Sequence, residues 1–373
     1  MKIYFETYGC AANQADELVM RSILKNDFEF TKSIEDSHII IMLTCGVKGS
    51  TENKIIQRIK HIRKTYPNKK VILAGCLTKI IPKKLQKMFP DYSLIGPDQV
   101  SDILKIVKKV AKGERVIDIR TYGSDTSLSS KRVCIVPTVV KEAQPIAIAS
   151  GCLNACAYCA TKIAKGNLKS LPIECVVRSV KYAVTHGAKK ILLTATDCGA
   201  YGKDIGTNIV ELLKEVVKIP GDFKIRVGMM NPQYVKEFVD DLIEVYKNPK
   251  IIKFLHIPVQ SGSNKVLKDM RRGYTVEEFK GIVKRFRKEI PDIRISTDII
   301  CGYPTETKED FKKTIKLIKE IKPEVLNISK FYPREGTYAK TLKQLSTKEI
   351  KQRSRKLTEF YKKLKKDLIK NKD

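Results

Sequence analysis

The run Ser150-Gly-Cys-Leu-Asn-Ala-Cys-Ala-Tyr-Cys159 decides how the rest of this 373-residue chain is read. Its cysteines, Cys152, Cys156 and Cys159, are spaced C-x-x-x-C-x-x-C. Three thiolates in one tight loop can hold three corners of a four-iron, four-sulfur cube, whereas full ligation takes four cysteines. The fourth iron is then open to a small ligand that binds through an amine and a carboxylate. A structural zinc site is the alternative, and zinc wants a fourth Cys or His at short spacing. No His lies between Cys134 and Cys175, which weighs against it.

Outward from this loop, apolar runs alternate with helical stretches. Strands are expected at 145–150, 189–195, 223–229, 253–259, 293–300 and 325–331. Six such βα units suit an incomplete, laterally open barrel, since a complete eight-unit barrel needs more chain. Upstream, 2–7, 38–43, 70–75 and 93–96 read as strands, and 52–65 as a helix. Ala15, Leu18, Val19, Ser22 and Ile23 fall at helical spacing between the first two strands. Strand–helix alternation implies an open parallel sheet covered on both faces, so the fold class is α/β throughout. The expected division is a cluster-bearing sheet over 1–120, a linker over 121–140, a partial barrel over 141–345 and a basic terminal helix over 346–373. The linker rests on the small polar run TYGSDTSLSSKR at 121–132.

The formal net charge of +31 favours a polyanionic partner through counterion release, although a general overuse of Lys contributes to it. The amino-terminal MKIYFETYGC has no apolar core of a signal peptide. The longest apolar run, near IIIML at 39–43, is far too short to span a bilayer. A cytoplasmic location is expected, where ten cysteines point to metal rather than to disulfides.

A second cysteine set is spread along the chain. Cys10, Cys45 and Cys76 each directly follow a predicted strand, in FETYGC, IIIMLTC and VILAGC. The carboxyl ends of parallel strands share one edge, where ligands bind. One cysteine after a strand is most often a small buried hydrophobe. Three at the same topological position predict a second cluster with an open iron.

At this point the chain resembles the methylthiotransferase family of radical SAM enzymes. The resemblance covers nearly all of residues 1–340 and rests on TYGCAANQAD, GCLNACAYCATKIAKG, LLTATDCGAYGKDIG, RVGMMNPQYV, FLHIPVQSGSNKVLKDMRRGYT, STDIICGYPTET and FYPREGT. Within the family these runs are similar to the archaeal and eukaryotic type acting on N6-threonylcarbamoyladenosine at tRNA position 37. The chain departs from the family where Ala164-Lys165-Gly166 replaces A-R-G, at Thr305, and at Ala195 and Cys198. The usual RNA-binding TRAM domain would begin where this sequence ends, at Asp373.

The resemblance implies an enzyme with two 4Fe-4S clusters, on Cys152, Cys156 and Cys159 and on Cys10, Cys45 and Cys76. It implies two S-adenosylmethionine molecules per product, one giving a 5′-deoxyadenosyl radical and one methylating the transferred sulfur. It also implies tRNA as partner and an electron donor of flavodoxin or ferredoxin type, with the sulfur source unknown. Tyr158, between two ligands, is placed to pack on the cofactor's adenine or simply within the loop. Thr196, Asp197, Arg226, Asn231, Gln260 and Ser261, near strand ends, are candidate cofactor contacts. Asn13 and Asp16 are candidate helix caps, or polar groups aimed at the second cluster. Arg271, Arg272 and the terminal basic helix are expected to grip RNA phosphates from outside the barrel. The same chemistry on isopentenyladenosine tRNA or on a ribosomal protein, and an iron–sulfur RNA-binding protein with weak catalysis, are the alternatives.

Overall fold

The computed structural model describes residues 1–46, 49–120 and 134–370; the polar run 121–132 lies outside the described residues. Apolar runs build a first sheet from β1 (Lys2–Thr7), β2 (Glu29–Thr31), β3 (Ile39–Thr44), β4 (Lys70–Gly75), β5 (Ser93–Ile95) and β6 (Ile117–Asp118). All pairs are parallel, in the order β2-β1-β3-β4-β5-β6. β3 is buried along its whole length. Ile40 and Met42 enter the core on one face, and Ile39, Ile41 and Leu43 the core on the other. Burial on both faces is what a parallel sheet under crossover helices demands. The edge strands β2 and β6 were not expected; three and two residues are too few to show a period. The expected helix 52–65 runs over Gly49–Thr65.

The second series begins with β7 (Ala143–Ala147), then a short antiparallel ribbon of β8 (Ala149–Ser150) and β9 (Lys169–Ser170). β10 (Lys190–Thr194), β11 (Lys224–Val227), β12 (Phe254–His256), β13 (Arg294–Cys301) and β14 (Val325–Lys330) follow. They pair in parallel as β7-β10-β11 and β12-β13-β14. A parallel bridge between Ile225 and Ile251, and the Met230 N–H donating to the His256 carbonyl at 2.9 Å, join the two halves. The result is the incomplete six-stranded barrel expected from the sequence. Capping boxes at Thr275/Glu278 and Thr307/Asp310 start the helices Val276–Glu289 and Lys308–Ile321.

Two expectations need correction. The terminal helix, Thr347–Lys370, is not outside the barrel but packs along β14 and the helix Lys308–Ile321. Arg353, Leu357 and Tyr361 recur every fourth residue and so face one way. Leu357 is fully buried, and the Tyr361 hydroxyl donates to the carbonyls of Pro323 and Glu324 at 3.0 Å each. Lys362, Lys363, Lys365 and Lys366 face outward and are exposed. The second correction concerns the cysteines. Cys134 and Cys175 form a disulfide, with Cα atoms 5.9 Å apart, because the segment before β7 runs beside the helix Ile173–Thr185. Cys175 is a buried helix residue, and Cys301 ends β13 within the core.

Three buried acid–base pairs tie the first sheet to the barrel: Asp16 to Lys165, Glu52 to Arg334 and Asp98 to Lys169. In each, the first region supplies the acid. Ala160 and Ala164 of the barrel also enter the first region's core beside Cys45 and Cys76. No helix among the described residues is long and apolar enough to cross a membrane.

Candidate functional site

The loop that carries the first three cysteines is built on a glycine. Gly151 has φ +73°, and a Cβ there would stand 1.8 Å from the Asn167 carbonyl oxygen. Only glycine adopts this turn against that backbone without strain. The Cys152 N–H then donates to the Gly166 carbonyl at 3.2 Å and the Cys159 N–H to the Cys156 carbonyl at 3.0 Å. The Lys162 ammonium donates to the Cys152 carbonyl. The Ala157 N–H donates to the Met270 carbonyl at 3.1 Å, which fixes the loop to the barrel.

All three thiols are free, and burial pushes Cys152 up to about 12, with the Asp197 carboxylate adding to the rise. Arg272 answers that preference for neutrality. Its Nη1 donates to the Cys156 sulfur at 3.2 Å, while its Nη2 is shut away from solvent with no hydrogen-bond partner. A cube on three thiolates carries net negative charge, so a guanidinium with an unused buried donor fits it. Three free thiols in one loop, with a buried guanidinium beside them, therefore fit such a cluster. Arg272 was expected on RNA phosphates; its position on Cys156 removes it from that role.

Asp197 sits beside this loop, just past β10. It accepts the N–H groups of Gly199 and Asn231 at 3.0 Å each, and Asn154 of the cysteine loop lies 3.4 Å from its other oxygen. Burial raises its carboxyl to about 6, against the pull of those N–H donors and Arg272. Asn154 is itself held by the Tyr234 hydroxyl at 2.9 Å. Thr196 is half-buried beside Asp197. Asn231 is buried and caps the turn Pro232–Val235. Gln260 is held at φ +73°, a left-handed conformation uncommon outside glycine, with its N–H on the Asp298 carbonyl at 2.8 Å. The Ser261 side chain accepts the Ser263 N–H at 3.2 Å. Tyr158 packs edge-on against Tyr303, ring centres 6.5 Å apart. Arg226 stands inside β11 rather than at its end, exposed, over the Phe254 ring at 4.6 Å. His256 bonds Asp298 at 3.1 Å.

The second set converges as the strand ends dictate. Gly75, at φ +94°, turns the chain so that Cys76 opens the helix Cys76–Ile80 beside Cys45. A Cβ on Gly9 would stand 3.1 Å from the Cys45 sulfur, so this glycine leaves the room around that thiol. Cys10 is exposed at the start of the helix Ala11–Leu24, while Cys45 and Cys76 are buried. Burial pushes Cys76 up to about 12, and Lys165 opposes that while Cys45 and Cys10 add to it. Lys165, at the position where the resemblance departs, comes from the far end of the six-residue helix that starts after Cys159. Its ammonium lies 4.0 Å from Asp16, and both side chains are buried. Asn13 does not cap its helix; its side-chain amide donates to the carbonyls of Tyr8 and Thr44 at 2.7 and 3.1 Å, tying the loops before Cys10 and Cys45. Sequence reasoning missed Lys165, Asn154 and the thiol contact of Arg272. Lys165 alone left a signal, as a departure from the family pattern.

Comparison with known proteins agrees with this geometry. Residues 146–318 match the Radical SAM superfamily, and residues 2–96 match the Uncharacterized protein family UPF0004. A protein of Methanothermobacter thermautotrophicus named "Probable threonylcarbamoyladenosine tRNA methylthiotransferase" is 42% identical over 360 residues, which are 96% of this chain and 84% of that protein. The human "Threonylcarbamoyladenosine tRNA methylthiotransferase" is 38% identical over 96% of this chain and 62% of its own length. Among solved structures, the radical S-adenosylmethionine methyltransferase TsrM from Kitasatospora setae, with cobalamin and a [4Fe-4S] cluster bound, matches 91% of this chain and 74% of its own. Its TM-score is 0.66 at 13% identity, a likeness of fold. The chain is a radical SAM enzyme and belongs to the threonylcarbamoyladenosine tRNA methylthiotransferase family.

Proposed function

We propose that this protein adds a methylthio group to carbon 2 of N6-threonylcarbamoyladenosine at position 37 of tRNA. Two 4Fe-4S clusters and two S-adenosylmethionine molecules per product would serve the reaction, with electrons from a flavodoxin or ferredoxin in the cytoplasm. The observation that carries this reading is the pairing of two separate three-thiol sets at opposite ends of the helix Ala160–Lys165. When bound at Cys152, Cys156 and Cys159, the cluster supplies the one-electron reduction of S-adenosylmethionine that such chemistry needs, because an aromatic C–H yields to no acid or base in the chain.

The chain's own residues bind and orient. Asp197, held by backbone N–H groups, offers its second oxygen to a cofactor amine. Thr196, Asn231, Gln260 and Ser261 shape the neighbouring strand ends, and Tyr158 walls the cysteine loop. Arg272 balances negative charge at Cys156, and Lys165 does so at Cys76. Cys10, Cys45 and Cys76 would hold the second cluster, which carries the sulfur. In this reading residues 1–120 hold that cluster, 141–345 the radical chemistry, and 346–373 a basic helix.

Mass spectrometry of tRNA nucleosides after co-expression tests the proposal. Methylthio-threonylcarbamoyladenosine should accumulate with the wild-type chain and vanish when Cys10, Cys45 and Cys76 become Ala. Accumulation of methylthio-isopentenyladenosine, or of no methylthio nucleoside, would refute it.

A further inference from the structure

The loop between β14 and the terminal helix touches the first cysteine loop and the start of the helix that follows Cys45. The Ala339 N–H donates to the carbonyl of Ala157, between Cys156 and Tyr158, at 2.8 Å. Seven residues earlier, the Tyr332 ring lies against Gly49, four residues after Cys45. Phe331 and Ala339 are buried with Met270 and Tyr303 and anchor both ends of the loop. Between these anchors the pattern inverts. Tyr332 and Tyr338 are 51% and 50% exposed. With Leu153 of the cysteine loop and Ile163 after it, they make four of the seven large apolar side chains exposed among the described residues. Ile163 meets this loop, since a Cβ on Gly336 would stand 2.9 Å from its Cδ1.

Each tyrosine carries a guanidinium. Arg271 lies 4.7 Å from the centre of the Tyr338 ring, and Arg334 lies 5.1 Å from that of Tyr332. Arg334 is fixed from behind by the buried Glu52 carboxylate. Over 330–343 the chain holds Lys330, Arg334, Lys340 and Lys343 against Glu335. A rigid, basic, half-exposed pair of arginine-backed aromatics matches the way unpaired RNA is held, by stacking of splayed bases on rings and attraction of their phosphates.

We infer that Tyr332 and Tyr338 form a stacking platform for unpaired RNA nucleotides that flank the target base. The inference rests on the reading of tRNA as substrate.

Fluorescence-anisotropy titration of the full chain with a 17-nucleotide anticodon stem-loop tests it. Base–aromatic stacking is worth about 1–3 kcal/mol per base, so Y332L and Y338L should each weaken binding by about 5- to 150-fold. Y332F and Y338F should bind like the wild type, because the ring and not the hydroxyl stacks; they keep the test valid if a leucine variant folds poorly. The slope of log affinity against log salt should stay the same in all four, since stacking releases no counterions. Leucine variants that bind the stem-loop as the wild type does would overturn the platform. Loss of affinity for a reduced flavodoxin alone would overturn it in favour of a protein-docking face. A wild-type chain that binds no stem-loop at all would instead refute the tRNA reading on which the platform depends.

Discussion

Replacing Arg353 with methionine should loosen the barrel beside the candidate site in a pH-dependent way. Arg353 and Glu306 are 7% and 1% exposed at the side chain. Nη1 of Arg353 donates to the Glu306 carbonyl at 2.7 Å and to its carboxylate at 2.6 Å, and Nη2 donates to Glu349. Glu306 also accepts the Gly302 N–H at 2.9 Å, so it pins the loop that carries Tyr303 against Tyr158. Methionine keeps most of the aliphatic volume but leaves the carboxylate buried and unpaired, a loss of about 3–5 kcal/mol. Burial already raises the Glu306 carboxyl and the Arg353 hydrogen bond pulls it back, so the variant's carboxyl rises further. The folded variant then keeps a proton that the unfolded chain gives up near its ordinary value of about 4.3. Below that value both states are protonated and the penalty is small; it grows as pH climbs towards the raised folded value. Native-state hydrogen exchange of the β13 and β14 amides reads the local opening free energy directly. The loss should be near its full size at pH 7 and much smaller at pH 4. A loss below about 1 kcal/mol at pH 7, typical of an exposed pair, would refute the reasoning, as would equal losses at both pH values.

Other outcomes follow from the same geometry. After anaerobic reconstitution, changing Cys152, Cys156 and Cys159 to Ala should leave about half the iron of the wild type, and changing Cys10, Cys45 and Cys76 should leave the other half. Iron analysis checks this, and full retention in either variant would show that the set is not a ligand set. Neutralising Lys362, Lys363, Lys365 and Lys366 should weaken tRNA binding and flatten its salt dependence by up to about 0.9 per lost phosphate contact. An unchanged slope, measured by anisotropy across a salt series, would mark that face as merely solvated.

Much of the fold was legible because the barrel and the first sheet rest on long apolar runs at a constant rhythm with helices. The six cysteines stood out in the sequence by residue type, one set also by its spacing and the other by its places after strands. The strand-end rule placed Cys10, Cys45 and Cys76, which span 66 positions of sequence, at one edge of the sheet. What escaped depends on approach in space. Nothing near Lys165 in sequence says that it will sit beside Asp16, and nothing near Arg272 names Cys156. The Cys134–Cys175 pair needs two segments to lie side by side, which no local pattern records. The terminal helix showed its apolar stripe clearly, yet a stripe does not say which surface it meets. β2 and β6 are simply too short to carry a rhythm.

The helix Ala160–Lys165 deserves to be considered as a ruler. It begins at a thiol of one set and ends at the ammonium beside the other, and six residues of α-helix are about 9 Å long. The helix length is written into covalent chain and backbone hydrogen bonds, and the docking of the two regions sets what stands at its far end. Hinge opening between the sheet and the barrel would have to tear Ala160 and Ala164 out of the first region's core before the gap could change. Inserting one residue would swing Lys165 by about 100° and move it off Asp16. Length and phase of this short element are therefore held together with the docking of the two regions.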